Sequence, residues 1–355
     1  VRIASLEVIP YALPFREPYL TARGRLDRRE MVLLRLRSAE EGLVGLGEAV
    51  PLSLRGGASL AQVIGELERL GERESLDETT LRGDAAALSA PARCAALTAL
   101  LDLRGRLVAA EHGERAAVEP PPVRCNATLV AGEPAEVAAE AERWAADGFS
   151  TFKLKLGGGD DDVGQVRAVR AALGPEAKIR VDVNGAWDVE TAKRMLAELE
   201  SLEIELAEQP VSTLEETAEL VDGTSIPIAV DESVASRADA ERALRMGACD
   251  MAGLKLSKVG GPEEAIEIAE LMPCFVSSAL DGPVGIAAAA QLAATLRQAA
   301  GPGDPGLAHG LATQRLFAST VAAVESELCG DMLHPPSGLG LGVEIDEAAL
   351  EAHRL

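Results

Sequence analysis

Aromatic side chains are scarce, with Phe, Trp and Tyr together making up 3% of the 355 residues. The chain therefore lacks the stacking platforms on which single-stranded nucleic acids bind. Positive charge is also in short supply: 34 Lys and Arg stand against 57 Asp and Glu, a formal net charge of −23. Phosphate backbones need a basic stripe, so this balance argues against nucleic-acid partners. The surplus acid reads as a solvated, solubilising surface. It leaves an anionic small-molecule substrate open, because a divalent cation and a few lysines can reverse the local field. No apolar run approaches the ~20 residues of a membrane helix. The opening Val1-Arg2-Ile3-Ala4-Ser5-Leu6-Glu7-Val8 alternates like a strand and has no signal-peptide core, so a cytoplasmic location is expected. The five cysteines (Cys94, Cys125, Cys249, Cys274, Cys329) form no Cys-x-x-Cys or Cys/His cluster. That excludes a disulfide framework and fits a reducing compartment. A homo-oligomer is compatible with all of this.

What the sequence does have is a periodic set of charges. Lys155 (FKLKLG), Asp182 (IRVDVNG), Glu208 (IELAEQP), Asp231 (IPIAVDES) and Lys255 (MAGLKLSKVGG) each end a short apolar run, at separations of 27, 26, 23 and 24 residues. A strand, a crossover helix and two loops take about that length. One charge per unit, always at the strand's C-terminal end, points to the face of a β/α barrel where such folds carry their chemistry.

The rest of the chain fits that plan. Residues 1–50 read as strands, with Glu40-Glu41-Gly42 as a hairpin turn, and 59–110 carry apolar residues three or four apart, as helices do. Sheet first and helices after is an α+β arrangement. Pro120-Pro121-Pro122 marks a boundary, since three prolines continue neither helix nor central strand. Strands are then expected at 123–128, 150–156, 178–183, 203–208, 226–231, 251–256 and 273–278, with a weaker eighth near 306–309. Thr213-Leu214-Glu215-Glu216 and Ser236-Arg237-Ala238-Asp239 have the form of helix N-terminal capping signatures. The segmentation gives an α+β capping domain over 1–120, completed by a tail at about 330–355, and a catalytic barrel over 121–329.

Three carboxylates from successive strands make a hard-cation site for which Mg²⁺ is the natural occupant. Without a cation they would repel one another and hold their protons. Lys155 and Lys255 flank the acids, one on each side of whatever the metal holds. A lysine beside a metal and a second cation can become a base near neutral pH, and Lys153, on the same face as Lys155, can tune it. A carboxylate substrate held there is set up to lose its α-proton. The plainer alternatives are solvated loop acids and strand-end lysines that merely neutralise them. Gly157-Gly158-Gly159 completes no dinucleotide fingerprint. Trp187 reads as loop packing, and among the histidines only His309 falls near the expected eighth strand.

KLK, DVNG, EQP, DES and GLKLSKVGG, in this order, resemble the muconate-lactonizing branch of the enolase superfamily across essentially the whole chain. The resemblance implies an α/β fold, a (β/α)₇β modified TIM barrel with an α+β capping domain. It implies Mg²⁺, with Mn²⁺ as a substitute, on Asp182, Glu208 and Asp231, and Lys155 and Lys255 on opposite faces of the substrate. Asn184 and Glu232 then support the ligands from behind, and Asp231 pairs with a lysine as well. Further on, Ser277-Ser278-Ala279-Leu280-Asp281-Gly282-Pro283-Val284-Gly285-Ile286 resembles the o-succinylbenzoate synthases, where a strand end and a helix N-terminus can receive a carboxylate. Their reaction dehydrates 2-succinyl-6-hydroxy-2,4-cyclohexadiene-1-carboxylate on the way to menaquinone. By that analogy Lys155 removes the α-proton and protonates the departing hydroxide, while Lys255 remains a cation. Ser277, Ser278 and Asp281 become candidate substrate contacts. So do Arg23 and Arg25, from a polar 16–29 stretch read as a mobile loop over the site. The capping segment GLGEAVPLSLRGGASL is more similar to the racemases and epimerases. An N-acylamino acid racemase, a dipeptide epimerase and a cycloisomerase therefore stay open, as does a noncatalytic metal-binding barrel. Against the dipeptide epimerase, no Asp-x-Asp pair lies near the eighth strand; Gly303-Asp304-Pro305 offers one acid.

Overall fold

Strand alternation in the first 50 residues produces a long antiparallel hairpin, β1 (Arg2–Thr21) and β2 (Gly24–Ser38), followed by β3 (Val44–Ala49). With β4 (Leu76–Asp77) they form a four-stranded sheet of order β3-β2-β1-β4. The computed structural model describes all residues except 22–23, 54–55, 74, 113–118, 131, 159–160, 299–302 and 304. Helices α1 (Leu60–Gly71), α2 (Glu78–Ala85) and α3 (Ala90–His112) cover the sheet. Val32, Leu34 and Leu36 of β2 face Val63, Leu67, Leu81 and Leu100 in a core of their own. Gly45 and Gly47 let β3 lie directly on α3, for a Cβ at either would strike the α3 backbone at Ala99 or Ala95.

One expectation fails here. The 16–29 stretch is not a loop: β1 and β2 stay paired out to Thr21↔Gly24, with register irregularities between Ile3 and Ser5 and between Pro14 and Tyr19. Apolar packing explains it, since Phe15 stacks on Tyr19 and on Phe317, at 5.5 and 5.1 Å between ring centroids. Arg29 is buried and donates to the carbonyls of Pro51 and Ala279.

After β5 (Val123–Arg124), seven parallel strands follow in simple order. They are β6 (Ala127–Leu129), β7 (Thr151–Lys155), β8 (Lys178–Asp182), β9 (Ile204–Glu208), β10 (Ile228–Val230), β11 (Met251–Leu254) and β12 (Cys274–Val276). The crossovers are α4 (Pro134–Ala146), α5 (Asp162–Leu173), α6 (Val189–Leu199), α7 (Leu214–Val221), α8 (Arg237–Met246), α9 (Leu256–Val259) with α10 (Pro262–Ala269), and α11 (Pro283–Gln298). Thr213 and Glu216 form the reciprocal capping box of α7, and Ser236 accepts from the Asp239 N–H at the start of α8. The eighth strand shrinks to two residues. His309 bridges Cys125 and Gly310 bridges Ser277, both in parallel, which closes the sheet on itself.

The strand expected over 251–256 stops at Leu254, and Lys255 becomes the N-cap of the short α9. Arg180 fills the barrel floor, 1% exposed, donating to Glu205 and to the Ala308 carbonyl (both 2.6 Å) beneath the Phe275 ring. Beyond the barrel, β14 (Glu327–Cys329) pairs with β15 (Met332–His334), which pairs in turn with β5. β13 (Ala322–Val324) pairs with β16 (Glu344–Ile345), and α12 (Glu347–His353) follows. Arg354 then bridges Tyr11 of β1.

Candidate active site

Register places the charged strand ends together: Lys155 stands beside Asp182, and Asp182 beside Glu208. Asp231 follows β10 and Lys255 follows β11. Asp182, Glu208 and Asp231 are wholly buried, and Lys153 and Lys255 nearly so. Lys153 Nζ lies 2.8 Å from Asp182 and 2.6 Å from Glu208. Lys155 Nζ donates to Asp182 Oδ2 at 2.5 Å and to Asn184 Oδ1 at 3.0 Å. Lys255 pairs with Asp231 Oδ2, and Lys258 holds Asp231 Oδ1 at 2.9 Å together with the Gly253 carbonyl at 3.0 Å. Asn184 donates to Glu232 at 3.1 Å. The expected residues thus gather as two bonded groups, Lys153, Lys155, Asp182, Asn184, Glu208 and Glu232 in one and Asp231 with Lys255 in the other, near enough that the Lys255 charge acts on Asp182 and Lys155.

Two residues at this centre have left-handed backbone, Asn184 (φ 51) and Gln209 (φ 42), where side chains other than glycine cost energy unless the surroundings hold them. Gln209 is held on both sides: its Oε1 accepts from the N–H groups of Asp231 and Ser233, and its Nε2 donates to Val211 and Ser233.

The electrostatics follow from burial and neighbours. Burial pulls the Lys155 ammonium down to about 8; Asp182 opposes the fall, and Lys153 and Lys255 add to it. For Lys153, burial also works downward, but Asp182 and Glu208 outweigh it and hold the group above the usual lysine range. Asp182 is buried too, yet Lys153, Lys155 and Lys255 hold it well below the usual carboxylate range.

The oxygen donors suit Mg²⁺. Glu208 Oε1 is buried with no hydrogen-bond partner among the described residues, as a metal-facing oxygen would be. As they stand, Asp182 and Asp231 lean on lysines, and among the described residues no three acidic, His or Cys side chains converge on one point.

The remaining candidates sit apart from these two groups. Ser277 bridges Gly310. Ser278 Oγ donates to Asp281 Oδ2 at 2.8 Å, and Ser257 Oγ to Asp281 Oδ1 at 3.3 Å. Arg25 is exposed and paired with Asp27; Arg23 and Asp304 lie outside the described residues. His309 is a closure residue, its Nδ1 accepting from the Val276 N–H at 3.0 Å. Trp187 packs in the loop and donates to Asp162 at 3.2 Å. Sequence reasoning missed Lys258, three residues beyond Lys255 in LKLSK, and Glu48. The signal for Glu48 was a lone acid in the apolar run LVGLGEAV. Its carboxyl group accepts from the Tyr11 hydroxyl at 2.8 Å and from the Gly282 N–H at 2.6 Å, so the α11 N-terminus already carries a carboxyl group from β3.

Residues 136–349 match the family model described as "Enolase C-terminal domain-like". The o-succinylbenzoate synthase of Thermobifida fusca (strain YX) is 41% identical over 227 residues, 62% of this chain and 68% of that protein. The dipeptide epimerase of Enterococcus faecalis V583, solved with Mg and the dipeptide L-Leu-L-Tyr, superposes with a TM-score of 0.86 at 26% identity, over 97% of this chain and 100% of that one. The muconate lactonizing enzyme of Pseudomonas fluorescens, solved with muconolactone, gives 0.87 at 28% identity over 99% of both chains. No described helix is long and apolar enough to cross a membrane. The barrel, its α+β cap and the family match together make this chain an enzyme of the enolase superfamily.

Proposed function

We propose that this protein is an o-succinylbenzoate synthase, acting on 2-succinyl-6-hydroxy-2,4-cyclohexadiene-1-carboxylate. The observation that carries the chemistry is a pair of lysines, Lys155 at the end of β7 and Lys255 just past β11, flanking the three strands whose ends carry the carboxylates. The likeness that favours this substrate over others is the 41% identity to the Thermobifida synthase. Asp182, Glu208 and Asp231 would hold Mg²⁺, which when bound supplies positive charge to the substrate carboxylate. Lys155, lowered toward neutrality, takes the α-proton as a neutral amine. The electron pair left behind delocalises into the substrate carboxylate. Lys255, as an ammonium, faces that developing negative charge. The pair then returns to expel the hydroxyl at C6, which leaves as water with the proton from Lys155. One substrate thus gives one aromatic product and one water. Lys153 keeps Asp182 ionised and holds Glu208 in place, and Asn184 orients the Lys155 amine.

A second reading is a racemase or epimerase, favoured by the superposition on the Enterococcus epimerase, since two flanking lysines also suit a 1,1-proton transfer. The test is the fall in cyclohexadiene absorbance with Mg²⁺ and then with EDTA. EDTA-sensitive turnover supports the synthase. A folded protein with no turnover, but with α-deuterium exchange into N-succinylamino acids or dipeptides, replaces it by the second reading.

A further inference from the structure

Glu48 is 2% exposed, at the end of the cap strand nearest the barrel, and no step above uses it. Its seat is shaped for a carboxylate. A Cβ at Gly285 would lie 2.7 Å from Glu48 Oε1, and one at Gly282 would lie 2.7 Å from Oε2 and strike the Tyr11 hydroxyl. The two glycines let the carboxylate rest on the first turn of α11, where backbone N–H groups point outward.

Next to it lies Asp281, 6% exposed, on a turn whose preceding residue, Leu280, has a φ of 67°. Asp281 in turn accepts from Ser257, which is 1% exposed and two residues beyond Lys255. The cap holds the other end of that turn as well, because Arg93 of α3 donates to the Val259 carbonyl at 3.1 Å. Burial pushes the Glu48 carboxyl up to about 7; the charge of Asp281 adds to the push, and hydrogen bonds from Tyr11, Gly282 and Gly285 oppose it. Of the other titratable groups nearby, the thiol of Cys94 on α3 is pushed up by burial and by the charges of Asp281 and Glu48, and Glu325 adds to the upward push on Tyr11.

We propose that Glu48 is a positioning residue for Lys255: seated on α11 and against Asp281, it fixes, through Asp281 and Ser257, the turn that carries the lysine. This rests on Lys255 facing the substrate, as in the function proposed above.

The test uses the full chain with Mg²⁺ and compares Glu48→Gln, which is uncharged at every pH, with Ser257→Ala. Turnover of the cyclohexadiene is measured beside amide hydrogen exchange in peptides spanning 255–260 and 278–286. For Glu48→Gln, whose amide nitrogen cannot stand in for the second of the two oxygens that accept from the Tyr11 hydroxyl and the Gly282 N–H, kcat falls about tenfold with KM within about twofold and exchange at 255–260 quickens. Ser257→Ala reproduces the kcat loss and the faster 255–260 exchange while 278–286 stays as in wild type. Wild-type kcat and unchanged 255–260 exchange in Glu48→Gln overturn the proposal. If that variant does not fold, wild-type kcat and exchange in Ser257→Ala overturn it instead. If the wild type turns over no cyclohexadiene, the proposed function has failed, and the exchange arm alone still decides whether Glu48 holds the Lys255 turn.

Discussion

At the scale of single residues, the centre is a crowd of buried carboxylates and lysines facing one another. On the proposed mechanism Lys155 is the group whose loss should cost most, being both the base and a partner of Asp182. Lys155→Ala should lower kcat by about 10³-fold, within the range for a lost general base. Its circular dichroism should be that of wild type, and calorimetry should still show Mg²⁺ binding. Glu208→Gln addresses the metal directly. One oxygen of Glu208 has no hydrogen-bond partner among the described residues, while the other takes Lys153. A changed outer partner of a metal ligand costs about 10–100-fold in affinity, and replacing a ligand should cost at least as much. Mg²⁺ titration of that variant checks it, and unaltered affinity would remove Glu208 from the metal set.

At the scale of elements, the sequence was legible wherever one unit spoke for itself. The strands from 150 to 208 run within a residue or two of their expected bounds because each is an apolar run bracketed by turn residues. The α7 capping box was readable in four letters, and it supports a prediction: Thr213→Ala should cost about 1 kcal/mol in a denaturant melt and leave turnover unchanged. Illegible were features that exist only after distant parts meet. The hairpin tip looked like a polar loop because its apolar partner, Phe317, lies far along the chain. The Lys255 turn looked like more strand, since nothing in LKLSK announces that a helix will take over at Leu256. Glu48 could not be weighed at all until the cap sat on α11.

At the scale of the molecule, that docking has a thermodynamic signature. A carboxyl whose pKa is higher folded than unfolded binds its proton more tightly in the native state. Its contribution is complete below the unfolded value, near 4.5, and is lost as pH rises through the folded value, about 7. For Glu48 alone the linkage comes to at most ~3 kcal/mol across that window. Wild type should therefore lose stability relative to Glu48→Gln between pH 4.5 and 7, measured as the difference between their melts. Parallel curves would show that Glu48 ionises as easily folded as unfolded.

The closure of the barrel at His309 and Gly310 has a consequence in time rather than space. A ribosome delivers β6 early and these two residues late, so both margins of the seven-strand sheet wait with unpaired backbone groups while α11 and the following segment are made. At ~5–20 residues per second, the interval from Val276 to Gly310 lasts roughly 2–7 seconds. During those seconds the nascent chain is most exposed to wrong partners, and slowing translation over 277–310 should raise the aggregated fraction more than slowing it anywhere before β12.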